Sequence, residues 1–434
     1  MEVFRKFLDK SSISLAFLVF AITIHFVFIL SLIFGFLNPL FHDSSYRLGQ
    51  GSDFYAIYQA GYNIMVGLNP YIEKKGYMVV PYSYAFVYHP FIAFTMGLAF
   101  NIFPPLIAYW VWVSILLALI WTSCYLTHRI CKNFYKPKWV EYIAIGMWLC
   151  FSPIYLELYM GQITLITGLL TFFSIYAEMR KKEIHSTILW TLACLIKPLP
   201  YFLTPAILSS GRTRKVIYNI LIFIFSVVSF GVVYFFFYYL DYTTKRSRKF
   251  YNHYGNFDFK TVLYEISIFL SSDTSWVAEN VVRLSIILML IFIGLSIFAT
   301  IYSKDYLVST TLLGCSYFLA FSGVWEHHYT FLLPFIILLW VRDESRLKWL
   351  LIFIFLAIPT PFYFIELYNC WYFPFSLLYR SSKLVPVLIL FVLLLTKAFK
   401  TPRQELIKDS LKDVITLIQN GFKKQASDRY LNFF

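Results

Sequence analysis

Residues 14–36 read SLAFLVFAITIHFVFILSLIFGF, an apolar run without a single Asp, Glu, Lys or Arg. A helix needs about 20 such residues to cross the hydrocarbon of a bilayer. This run is longer than a signal-peptide core and has no clear small-residue cleavage site, so it reads as a retained first membrane helix. The rest of the chain repeats the pattern. Of its 434 residues, 59% are hydrophobic and 14% charged, far less polar surface than a soluble protein of this length needs. Tyr clusters where apolar runs end, as side chains resting at a membrane interface do. The expectation is an all-α polytopic membrane protein. One transmembrane domain would cover residues 1–400 and a cytosolic tail residues 401–434.

The formal net charge of +14 falls mainly in short loops between apolar runs, which is the positive-inside pattern and not a nucleic-acid surface. The six cysteines (Cys124, Cys131, Cys150, Cys194, Cys315, Cys370) are scattered, with no Cys-x-x-Cys pair, so neither a disulfide framework nor a zinc site is expected.

Arg5, Lys6 and Lys10 place the N-terminus in the cytosol, and the segment 38–84 outside. The run 84–103, broken by Pro104-Pro105, then lies on or dips into the outer leaflet, which leaves His128, Arg129, Lys132, Lys136 and Lys138 cytosolic. The run 142–158 climbs outward to a Gly161-Gln162 turn, and 164–177 descends to Arg180, Lys181 and Lys182. The run 186–208 has basic loops at both ends and Lys197-Pro198-Leu199-Pro200 in its middle, so it reads as two re-entrant half-helices with Lys197 at the tip. Broken backbone at membrane depth is tolerated only where it faces protein or a cavity, which points Lys197 into a polar crevice. The remaining runs alternate across the bilayer, with Trp325-Glu326-His327-His328 outside and the C-terminal tail cytosolic, its residues 402–420 an amphipathic helix.

This threading gathers Asp53, Gln162, Lys197, His327 and the loop 241–282 at the outer half of the membrane. Ionisable groups at such depth are costly and usually functional. Asp53 precedes a helical stretch, so Ser52 or Asp53 reads as its N-cap, and a capping Asp still serves as a general base where a substrate hydroxyl reaches it. Lys197 is either a snorkelling lysine or a phosphate counter-charge. Of the adjacent His327 and His328, one faces any given direction; with Glu326 they invite a metal reading, discounted because no second cluster has ligand spacing. Lys245, Arg246, Arg248 and Lys249 break the positive-inside pattern, either because long loops escape it or because they meet phosphate. His89 and Glu366 are further candidates on the same side. No Walker loop, nucleophile elbow, zincin pattern, Rossmann fingerprint or clean inverted repeat is present.

Five local patterns occur in order: Asp53-Phe54-Tyr55-Ala56-Ile57-Tyr58 leading through Gly67-Leu68-Asn69-Pro70-Tyr71; Tyr88-His89-Pro90; Gly161-Gln162-Ile163-Thr164; Lys197-Pro198-Leu199-Pro200; and Trp325-Glu326-His327-His328. Together they resemble the membrane-embedded glycosyltransferases of the GT-C superfamily, specifically glycosyltransferase family 87, the polyprenyl-phosphate-mannose-dependent mannosyltransferase-like group. The resemblance covers roughly residues 50–330, with 1–240 the most family-like core. Asn252-His253-Tyr254 stands where that family often has Asn-Gln-Ser.

The resemblance implies a GT-C-like bundle of about 11–13 transmembrane or re-entrant helices, with juxtamembrane helices in the first external loop. It implies an inverting hexosyltransferase that moves mannose first of all from a polyprenyl- or dolichyl-phosphate sugar to a hydroxyl of a glycolipid or glycan acceptor, at the outer face of the plasma membrane. Asp53 would be the catalytic base. Lys197, His327 or His328, Gln162, His89, Arg246 and Arg248 would bind donor phosphate or substrate, with no metal or cofactor. Without the resemblance, an acid, a lysine and histidines in a crevice open to lipid would equally suit a transporter or flippase of a glycan or lipid-linked sugar. A transporter, though, places its charges near the midplane between repeated halves.

Overall fold

A computed structural model describes residues 11–41, 49–72, 78–81, 85–241, 256–270, 274–321, 323–360 and 374–400. Arg246, Arg248, Asn252-His253-Tyr254, Glu366, Cys370 and the proposed tail helix lie outside the described residues. Every regular element among the described residues is helical. In chain order they are α1 (Ser11–Phe34), α2 (Ser52–Met65), α3 (Pro90–Phe100), α4 (Pro105–Asn133), α5 (Lys138–Cys150), α6 (Ser152–Met160), α7 (Thr164–Met179) and α8 (Glu183–Ile196). These are followed by α9 (Leu199–Ser209), α10 (Thr213–Phe230), α11 (Phe259–Leu270), α12 (Thr274–Tyr302), α13 (Tyr306–Ala320), α14 (Leu333–Arg342), α15 (Leu347–Ala357) and α16 (Phe375–Lys400). Six stretches are long and apolar enough to cross a membrane, and six shorter apolar helices accompany them among the described residues. The chain is an all-α polytopic membrane protein.

Burial sorts the helices into two shells. The most apolar stretch of Lys138–Met160 is 89% buried, that of Asn280–Tyr302 only 17%. The outer helices turn apolar side chains away from the protein (Phe20, Phe26 and Ile33 on α1, Phe225 on α10, Leu290 on α12), as helices in contact with lipid acyl chains do. Inside, α13 and α14 are buried almost all round. At 1.5 Å per residue, α14 is about 15 Å long, half the hydrocarbon thickness, so it can hold its place only within protein.

Prolines and glycines set the breaks that position the site. Lys197 has extended backbone (φ −147°, ψ 133°), the conformation the following Pro198 favours, and this ends α8. The chain resumes as one 3-10 turn over Leu199–Leu203 and then α-helix. At the crossing of α2 and α3, a Cβ on Gly61 would lie 2.2 Å from the Gly97 carbonyl carbon, so only glycine permits the approach.

At the end of α14, Asp343 accepts from Lys397 Nζ (2.5 Å), Arg342 Nε (3.1 Å) and Trp349 Nε1 (3.1 Å), tying α14, α15 and α16 together. Burial alone would raise its carboxyl, but Lys397 and Arg342 outweigh burial and hold it below its ordinary 3.8. A depressed carboxylate stabilises the fold above its unfolded value and loses that contribution as pH falls through the folded one. Asp343→Asn is therefore expected to cost about 2 kcal/mol, less than a fully buried pair because Lys397 reaches water. Thermal unfolding in detergent should show the same loss at pH 7 and pH 5.

Candidate active site

The head of α2 is fixed before its carboxylate is placed. The cap position belongs to Gly51, in the left-handed region at φ 80°, and its N–H donates to the Tyr159 carbonyl (2.7 Å) at the end of α6. Neither Ser52 nor Asp53 occupies the cap position that the sequence offered them. Asp53 sits in the first turn of α2, 3% exposed, where the helix dipole favours its negative charge. Phe54 beside it packs among Phe100, Tyr109 and Trp112.

The Gly161-Gln162 turn meets Asp53 from the other side. Gly161 has φ +66°, and a Cβ there would fall 2.5 Å from that of Phe54, so the turn requires glycine on both counts. Tyr109 donates to the Leu158 carbonyl (2.9 Å) and Trp112 Nε1 to that of Gly161 (3.1 Å), so α4 clamps the turn. The Tyr88 hydroxyl lies 3.1 Å from Asp53 Oδ1 and 3.3 Å from Gln162 Oε1, joining the acid to the turn.

Lys197, at the break between α8 and α9, donates from Nζ to Thr164 Oγ1 (2.6 Å) at the first residue of α7. His327 is 2% exposed in the 3-10 turn Glu326–Phe331, and the charges of Lys197 and Asp53 act on its ring. His328 faces elsewhere: its Nδ1 accepts from the Trp325 N–H (3.2 Å), a local capping role. The two rings meet edge to face, 4.4 Å apart. His89 is also a cap. Its Nδ1 accepts from the Phe91 N–H (3.1 Å), and its ring sits among Phe223, Phe235 and Tyr239. The structure thus brings Asp53, Gln162, Lys197 and His327 together and gives His328 and His89 local structural partners.

Glu157, near the end of α6, was missed from sequence. It is fully buried, Oε2 accepting from the Leu165 N–H (3.0 Å) and Oε1 from the Thr330 hydroxyl (3.1 Å), which also bonds the His327 carbonyl (2.8 Å). It fastens the His327 turn to the start of α7, and it feels the charges of both Lys197 and Asp53. The signal was available: a carboxylate inside an apolar run is costly and asks for a reason. Gln in its place keeps the shape and lets Thr330 reverse its bond, but removes the charge opposite Lys197. Glu157→Gln should lower turnover about tenfold, the effect of ~1.4 kcal/mol, and leave the unfolding midpoint nearly unchanged.

The family model for glycosyltransferase family 87 matches residues 86–323, more than half of the chain. The chain belongs to glycosyltransferase family 87. No curated protein matches it. The part matched to family 87 carries Tyr88-His89-Pro90, Gly161-Gln162 and Lys197-Pro198; Asp53 lies ahead of it and His327 just beyond. Membership in family 87 makes the chain a transferase enzyme, a membrane glycosyltransferase, whose work requires a sugar donor and an acceptor at the bilayer.

Proposed function

We propose that the enzyme moves a hexose, mannose first of all, from a polyprenyl- or dolichyl-phosphate sugar to a hydroxyl of a glycolipid or glycan acceptor, with inversion, at the external face of the plasma membrane. The observation that carries the reading is Lys197: its ammonium is held at the N-terminus of α7 by Thr164, and its charge acts on the same ring and acid that Asp53 acts on. An ammonium beside a helix N-terminus suits a phosphate, and a buried carboxylate nearby suits an acceptor hydroxyl.

In this mechanism the acceptor oxygen attacks the anomeric carbon while Asp53 takes its proton. The bond from that carbon to the phosphate oxygen breaks, and both its electrons leave with the lipid phosphate, which goes from monoanion to dianion. Lys197 stabilises the added charge and His327 offers a ring N–H to it. No strong acid is needed, because a lipid phosphate is a good leaving group. Arg246 and Arg248 would extend the phosphate site from the external loop. A GT-C arrangement, with both termini cytosolic, fits the positive-inside pattern.

Donor choice tests the reading. Purified enzyme in liposomes should transfer labelled mannose from polyprenyl-phosphate-mannose and none from GDP-mannose; transfer from the nucleotide sugar alone would overturn the donor class.

A further inference from the structure

At the far end of α7 from Thr164, the protein carries a groove of about 370 Å³ between α4, α7 and α8. Fifteen residues of helix separate the two ends, about 22 Å at 1.5 Å per residue. The groove therefore opens near the opposite membrane face from the Asp53 cluster. Arg129 near the end of α4, Arg180 and Lys182 in the turn after α7, and His185 in the first turn of α8 line its mouth.

None of these four side chains pairs with a carboxylate among the described residues. Arg129 is oriented by the Tyr125 hydroxyl, to which its Nη1 donates (2.9 Å). The neighbouring acid on α7, Glu178, turns away and is consumed by Lys215 (2.5 Å) and Arg212 (3.5 Å). Below the charges the lining is largely apolar, with Phe173, Ala177 and Leu189 beside the rings of Tyr125 and Tyr176.

Cations without a carboxylate partner over an apolar slot between membrane helices fit a molecule with an anionic head and hydrocarbon tails. A soluble anion would use the cations and leave the slot unfilled. Basic pockets between transmembrane helices on the positive face recognise anionic lipid headgroups in this way. We propose that the groove binds one anionic phospholipid, its phosphodiester among Arg129, Arg180, Lys182 and His185 and an acyl chain along Phe173 and Leu189.

The test uses the full chain in detergent. Dioleoyl-phosphatidylglycerol, dioleoyl-phosphatidylcholine and inorganic phosphate are each titrated while the thermal unfolding midpoint is followed. Phosphatidylglycerol should raise the midpoint saturably, and the other two should not. Because a basic residue near an anionic surface contributes about fivefold, Arg180→Gln with Lys182→Gln should weaken the apparent affinity roughly 25-fold. Equal shifts from phosphatidylcholine would mean bulk lipid, and equal shifts from phosphate a simple anion site. Either result, or an unchanged affinity in the double variant, overturns the proposal. Should that variant not fold, native mass spectrometry of the wild type from nanodiscs with equal amounts of both lipids decides. One retained phosphatidylglycerol per chain supports the site, and equal retention of the two lipids sinks it.

Discussion

Asp53→Asn should lower turnover by about 10³-fold or more while the protein inserts and melts as the wild type does. Asparagine has the same outline, and its carbonyl still accepts from the Tyr88 hydroxyl, so the link to Gln162 survives. What goes is the capacity to take a proton. Loss of the interaction with the α2 dipole costs about 0.5 kcal/mol. A first-turn carboxylate with a purely structural role would behave the opposite way, losing stability and keeping rate. Turnover and unfolding midpoint measured on one preparation separate the two.

Lys197→Gln should cost about 10²–10³-fold in kcat, the usual effect of removing one preorganised partner of developing negative charge. Glutamine still reaches toward Thr164 but carries no charge. Because the donor phosphate already bears one negative charge before transfer, some loss should appear in KM. The larger share belongs in kcat, where the second charge develops. Lys197→Arg keeps the charge and should recover part of the rate. A snorkelling lysine predicts no change in kcat for either variant.

Much of this was legible in the chain. The apolar runs announced the spanning helices because lipid demands length and hydrophobicity together. The break at Lys197-Pro198 was legible because proline constrains the residue before it, and the structure sets that lysine against Thr164. Helices such as α14 were harder to read as interior, since composition does not distinguish ten residues buried in protein from half of a span. Glu157 passed unnoticed inside the run 142–158, because the groups that satisfy it, Leu165 N–H and Thr330, lie on other elements. His89 and His328 illustrate the reverse. Both looked like site residues, and both spend a ring nitrogen on a backbone N–H close by in the chain. Periodicity cannot separate such a cap from a ligand. Within the pair 327–328, His328 caps its own turn, while the charges of Asp53 and Lys197 act on the His327 ring.

The most direct measurement is transfer of labelled mannose from synthetic polyprenyl-phosphate-mannose to membrane acceptors, with purified wild type and Asp53→Asn side by side in the presence of chelator. The account predicts transfer by the wild type and none above background by the variant. Equal transfer by both proteins, or no transfer from any lipid-phosphate sugar, would contradict it.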